Sequence, residues 1–133
     1  MWKDFIEYIV TNYKNASFIV EVGVGSFPIV AVTLQKHLNL DIIMTDIKPY
    51  HHDVVIDDIT NPDLNIYGGA SLIYAIRPPE ELQQSLKMVA DQVGADLIIK
   101  PLSSEFINPD MDMKLINYGK AVFFKKCNNE MAE

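Results

Sequence analysis

Two glycines and two acids are spaced in this chain as a nucleotide-binding turn requires. Glu21 stands two residues before Gly23, Gly25 follows, and Asp46 comes 21 residues after Gly25. Glycines between a strand and a helix permit a tight turn and let a ligand approach the backbone where no Cβ intervenes. An acid at the end of the next strand can accept hydrogen bonds from both ribose hydroxyls. The spacing favours a nucleoside ligand; alternatively, the glycines are ordinary turn residues and Asp46 is a capping or solvated acid.

Polar residues also follow two later apolar runs. Asp57-Asp58 closes one run and Arg77-Pro78-Pro79 closes another. In an open parallel sheet, ligands bind at the carboxyl ends of the strands, so these residues are expected at the same edge as the glycine turn. Arg77 is the candidate catalytic residue, because its guanidinium could bind an anionic substrate group bidentately. The alternative is that the prolines merely start a helix and that the guanidinium pairs with a nearby carboxylate, from Glu80, Glu81 or Asp58.

The elements that position these residues follow from hydrophobic periodicity. Apolar residues at helical spacing predict helices at 2–12, 28–38 and 80–93. Short apolar runs predict buried strands at 17–22, 41–45, 53–56, 71–76 and 96–99. Residues 114–118 and 120–126, joined at Gly119, are typical of a hairpin. The alternation predicts an α/β fold, a three-layer Rossmann-like sandwich whose mostly parallel sheet ends in an antiparallel C-terminal hairpin, in one domain spanning 1–133.

The glycine turn departs from the fingerprint of NAD-binding domains. That fingerprint needs a small residue three positions after the second glycine, and here this position is Pro28, preceded by the bulky Phe27. Glu21 stands where NAD domains normally have an apolar residue. A nicotinamide-dependent enzyme is therefore the least favoured interpretation.

The run Glu21-Val22-Gly23-Val24-Gly25-Ser26-Phe27 resembles motif I of class I methyltransferases. The resemblance implies that Glu21, Gly23, Val24, Gly25 and Ser26 hold the methionine part of S-adenosylmethionine and that Asp46 is the ribose-binding acid of motif II. Asp57 or Asp58 with Ile59 resembles motif III, in which an acid meets the adenine amino group and an apolar residue packs on the ring. Ile47 or Tyr50 could flank the same ring, or be ordinary packing.

More closely, the motif I run together with Tyr74-Ala75-Ile76-Arg77-Pro78-Pro79-Glu80 resembles UPF0146, a family of small, functionally uncharacterised archaeal proteins with a methyltransferase-like fold. The resemblance implies an S-adenosylmethionine-binding protein and leaves open a methyltransferase of unknown acceptor. The alternative is a non-catalytic nucleoside-binding module or a subunit of a larger complex. Two departures favour that alternative: Arg77 replaces the acid or amide of the amino-methyltransferase motif, and residues 102–112 are too short for the helix that helps build the substrate pocket.

Composition limits the remaining function classes. The formal net charge of −7 disfavours non-specific nucleic-acid binding, which normally uses a basic face. One cysteine, Cys127, excludes an internal disulfide and fits a reducing, cytoplasmic compartment, and no run is apolar enough to span a membrane. The run His51-His52-Asp53 could ligate a metal, but adjacent residues of an extended segment point in opposite directions, so no metal site is predicted. A protein partner or homodimer stays open.

Overall fold

Seven strands form one sheet in the order β3-β2-β1-β4-β5-β7-β6. The computed structural model describes residues 2–101, 107 and 109–129. Strands β1 to β5 are parallel, while β7 pairs antiparallel with both β5 and β6. The strands are β1 Phe18–Val22, β2 Asp41–Asp46, β3 Val55–Ile56, β4 Leu72–Ile76, β5 Asp96–Lys100, β6 Lys114–Tyr118 and β7 Ala121–Lys126. The predicted fold class is confirmed.

Helices cover both faces of this sheet. They are α1 Lys3–Tyr13, α2 Ile29–His37, α3 Leu64–Tyr67 and α4 Gln83–Val93. Alternate residues of each strand point to opposite faces: Ile19 packs into one core with α1 and α2, and Val20 packs into another with α3 and α4. The central strands β4 and β5 are buried on both sides, which explains their uninterrupted apolar runs. No helix in the described part of the chain is long and apolar enough to cross a membrane.

The predicted elements differ from the structure mainly where they are short. β3 has two residues instead of the predicted four, and α2 begins at Ile29, one residue after Pro28. The predicted helix at 80–93 starts as a 3-10 turn, Glu80–Leu82, before α4. Helix α3 was not predicted. Within the segment 102–112, residues 102–106 and 108 lie outside the described residues, and the described part contains a 3-10 turn, Pro109–Met111.

Candidate functional site

The glycine turn connects β1 to α2 and leaves space beside its backbone. Gly23 and Gly25 have φ angles of +73° and +67°, which L side chains rarely adopt. A Cβ built on either glycine meets no atom within 4 Å. The turn is anchored from β2, because the Thr45 carbonyl accepts hydrogen bonds from Gly23 N (2.9 Å) and Val24 N (3.1 Å). The turn is therefore held in place while its outer surface is open to a ligand.

Asp46, which the spacing predicted at the end of β2, lies directly beside this turn. Its Oδ2 accepts a hydrogen bond from Gly25 N at 2.8 Å, and its Oδ1 accepts one from Lys48 N at 3.2 Å. A carboxylate has about four lone-pair sites, so about two remain for a ligand. The same side chain that shapes the glycine turn thus has acceptor capacity left for a pair of hydroxyls.

Glu21 is buried beneath the glycine turn and forms a hydrogen bond with Tyr74. The sequence motifs did not predict this partner. Only 3% of Glu21 is exposed, and its Oε1 accepts a hydrogen bond of 2.7 Å from the Tyr74 hydroxyl. The two residues face each other across the parallel pair β1–β4. Burial raises the pKa of Glu21 from 4.5 to about 7, although the Tyr74 hydrogen bond acts in the opposite direction. A carboxyl group that titrates near neutral pH therefore lies at the base of the site.

The rim of the turn carries exposed apolar side chains and one histidine. Phe27 is 84% exposed, so its bulk projects into solvent and leaves the turn open. Ile47 and Tyr50, after β2, are exposed as well. His51 Nε2 lies 3.0 Å from the Ser26 carbonyl oxygen, which ties the loop after β2 to the glycine turn. The described residues contain no group of three or more His, Cys, Asp or Glu side chains placed to hold a metal.

The acids after β3 have separate roles. Asp57 accepts hydrogen bonds from the Tyr67 hydroxyl (2.6 Å) and Asp63 N (3.0 Å), so it supports α3. Asp58 is exposed, and its Oδ1 accepts from the Thr60 hydroxyl and amide, which lowers the pKa of Asp58. Asp58 is therefore the acid of this pair with a carboxylate accessible to a ligand.

Ile59 is largely occupied by the core. Its side chain is only 5% exposed and packs in the cluster that contains α3 and α4. It also lines a cavity of about 200 Å³ together with Thr60 and Met88. Ile59 thus has little surface to offer an adenine ring, whereas Ile47 is 64% exposed.

Arg77 ends β4 in an unusual backbone conformation. Its φ of +52° lies in the left-handed region, which costs a non-glycine residue roughly 1–2 kcal/mol. The guanidinium carbon lies 5.5 Å from the centroid of the Trp2 ring, a cation–π contact. Within the described ranges, the ion pairs are those of Asp91 with Lys87 and Lys126, so the expected pairing of Arg77 with a carboxylate is not found.

Sequence relatives of this chain are archaeal. The chain matches an uncharacterised protein family, UPF0146, over residues 2–128. A UPF0146 protein of Methanothermobacter thermautotrophicus is 50% identical over 125 residues, which cover 94% of each chain. A UPF0146 protein of Archaeoglobus fulgidus is 39% identical over 122 residues, which cover 89% of this chain and 88% of that protein.

Several solved structures that resemble this chain are methyltransferases. Human N-acetylserotonin methyltransferase in complex with S-adenosylmethionine aligns with a TM-score of 0.66 at 12% identity, over 96% of this chain and 53% of that one. An RNA methyltransferase from Salinibacter ruber in complex with S-adenosyl-L-homocysteine aligns with a TM-score of 0.63 at 10% identity, over 96% and 90%. At such identities the likeness establishes the methyltransferase-like Rossmann fold.

Proposed function

This chain belongs to the UPF0146 family and has a methyltransferase-like fold, and on that basis we propose that it binds S-adenosylmethionine at the glycine turn. The observation that carries the proposal is the contact between Asp46 and Gly25 N, because it joins a ribose-type acceptor to an open backbone turn. One hydrogen bond of 2.8 Å thus links the glycine turn to the acid at the end of the next strand.

Each part of the ligand has a place in this arrangement. The methionine part lies along Gly23, Val24, Gly25 and Ser26. The two glycines have no Cβ that would cover the backbone. Asp46 accepts from the ribose hydroxyls with its remaining lone pairs. Glu21 lies below the turn. A cationic ligand would favour the ionised form of its carboxyl group.

We assign the adenine ring to the edge beyond Asp46. The exposed carboxylate of Asp58 is suited to accept a hydrogen bond from the adenine amino group. Ile47 supplies exposed apolar surface for one ring face, and Ile59 contributes the small part of its side chain that the core leaves uncovered.

Methyl transfer requires mainly that the acceptor be held in line with the methyl group. S-adenosylmethionine supplies that methyl group on a cationic sulfonium. Within this chain, Arg77 is the residue we assign to positioning an acceptor, because β4 lies beside the strand that carries the turn. The acceptor itself is not identified by these residues.

The second candidate is binding without catalysis, in a nucleoside-binding module or a subunit of a larger assembly. It is favoured by the exposed apolar side chains near the carboxyl edge of β1 to β3, since a partner could cover them. They are Phe27, Ile29, Ile47, Tyr50, Val55 and Ile56. Sedimentation of the pure protein with and without S-adenosylhomocysteine tests whether a second copy covers this surface.

Calorimetric titration with S-adenosylmethionine, S-adenosylhomocysteine and NAD tests the proposal. We expect saturable micromolar binding of both adenosyl ligands and no measurable binding of NAD. Binding of NAD alone would contradict the proposal and indicate a nicotinamide ligand instead. Binding of none of the three would also contradict the proposal.

A further inference from the structure

Two cationic residues lie at the carboxyl ends of the neighbouring strands β4 and β5. Lys100, the last residue of β5, is in register with Ile76 of β4. Arg77 N donates a hydrogen bond of 2.7 Å to the Lys100 carbonyl. These two residues are called the cationic pair. β4 also pairs with β1, so Arg77 follows the strand next to the one that carries the glycine turn, and Lys100 ends the strand after that.

The surroundings of Lys100 disfavour its ionised form. Burial, and then the charge of Arg77, lower the pKa of the Lys100 ammonium. Lys100 Nζ donates to the Val122 carbonyl, and Arg77 lies over the Trp2 ring, so each cation has a neutral partner. Neither forms an ion pair within the described part of the chain, although the whole chain has 18 acids and 11 bases.

The backbone conformation of Arg77 is a second unfavourable feature at the same place. An arginine keeps a left-handed backbone conformation only where the surrounding structure imposes it, and residues in such conformations cluster at ligand sites. An anion bound by both side chains would offset the effect of the Arg77 charge on Lys100 and could accept two parallel hydrogen bonds from the guanidinium.

We propose that Arg77 and Lys100 bind the phosphate or carboxylate group of a small anionic acceptor substrate. This inference rests on the proposed function, because the anion site lies near the glycine turn and would orient the acceptor towards the S-adenosylmethionine bound there. The net charge of −7 opposes a polyanion such as a nucleic acid and is compatible with a small molecule that carries one anionic group.

Titrations with inorganic phosphate and with acetate, followed by NMR of ¹³C-labelled lysine, test the site in the intact protein. We expect phosphate to bind and to raise the pKa of Lys100 towards or above its ordinary value. Arg77→Met and Lys100→Met should each weaken phosphate binding at least tenfold. The control Lys36→Met, an exposed lysine of α2, should leave phosphate binding unchanged. Tighter binding of phosphate than of acetate would identify a phosphate ester, and the reverse a carboxylate.

The wild-type Lys100 signal keeps the test decisive even if a variant fails to fold. An unmoved Lys100 pKa at saturating phosphate and acetate, or equal affinities in wild type and both Met variants, would overturn the inference. S-adenosylhomocysteine is titrated into the same preparation. If S-adenosylhomocysteine binds and neither anion does, the anion site alone is refuted. If an anion binds and S-adenosylhomocysteine does not, the proposed function is refuted and the cationic pair stays an anion site.

Discussion

Replacing Glu21 by glutamine should change how the stability of this protein depends on pH. Glu21 is 3% exposed, and burial raises its pKa from 4.5 to about 7. In the pH range between these values the folded chain holds a proton that the unfolded chain has lost. The folded state binds more protons there, so the free energy of unfolding falls as pH rises.

The size of this effect follows from the two pKa values. A rise from 4.5 to about 7 corresponds to a loss of about 3 kcal/mol between pH 4.5 and pH 8, most of it between pH 5 and pH 7. Glutamine has nearly the same shape, stays uncharged at every pH, and has an oxygen that can accept from the Tyr74 hydroxyl. Relative to wild type, Glu21→Gln should therefore gain about 2 to 3 kcal/mol between pH 5 and pH 8.

Urea unfolding at pH 5, 6, 7 and 8, followed by the fluorescence of the single tryptophan, Trp2, measures this difference. Comparison of wild type with Glu21→Gln cancels the contribution of every other titrating group. In Tyr74→Phe, the hydrogen bond that favours the ionised carboxylate is lost, so the pKa of Glu21 should rise further and the fall in stability should continue to higher pH. Parallel stability curves for wild type and Glu21→Gln would refute the assignment of a neutral buried carboxyl group.

The remaining predictions concern the turn and the start of β5. Gly25→Ala should cost about 1 kcal/mol of stability, because φ is +67°, and should abolish S-adenosylhomocysteine binding measured by calorimetry. Gly94→Ala has the same kind of φ and the same open space, so an equal loss of affinity there would contradict a specific role for Gly25. Asp96→Ala should cost about 3 kcal/mol in urea unfolding, since buried Asp96 accepts from the Tyr13 hydroxyl and from two amides, Asn128 N and Asn129 N. A cost below about 1 kcal/mol would show that these donors find other partners.

The sheet could be predicted because its central strands are apolar runs bounded by polar residues. β4 and β5 are buried on both faces, so their sequences carry the pattern without interruption. The apolar run at 53–56 predicted β3 two residues too long, and the four residues of α3 are too few for a periodicity to emerge. α3 is instead fixed locally, by the Asp63 side chain, which accepts from Asn65 N as an N-cap.

The candidate site was predictable in its residue types and less so in its contacts. The spacing of Gly25 and Asp46 predicted that both lie at the carboxyl edge of the sheet, because neighbouring parallel strands end at one edge. The hydrogen bond between them is shown by the structure. The Glu21–Tyr74 hydrogen bond joins residues 53 positions apart, and nothing local in either segment indicates it. Arg77 was expected to pair with an acid or bind an anion; its contact with Trp2 depends on how α1 packs against the end of β4.

The affinity for S-adenosylhomocysteine of wild type and of Asp46→Ala, measured by calorimetry, tests the central claim most directly. The variant loses the acceptor of two ribose hydrogen bonds to a charged group, worth about 3 kcal/mol together, or about a hundredfold in Kd. Asp41→Asn, an exposed acid at the opposite end of β2, is the matched control. We predict micromolar binding for wild type and Asp41→Asn and a Kd about a hundredfold higher for Asp46→Ala. Equal affinities for all three proteins would contradict the ribose site.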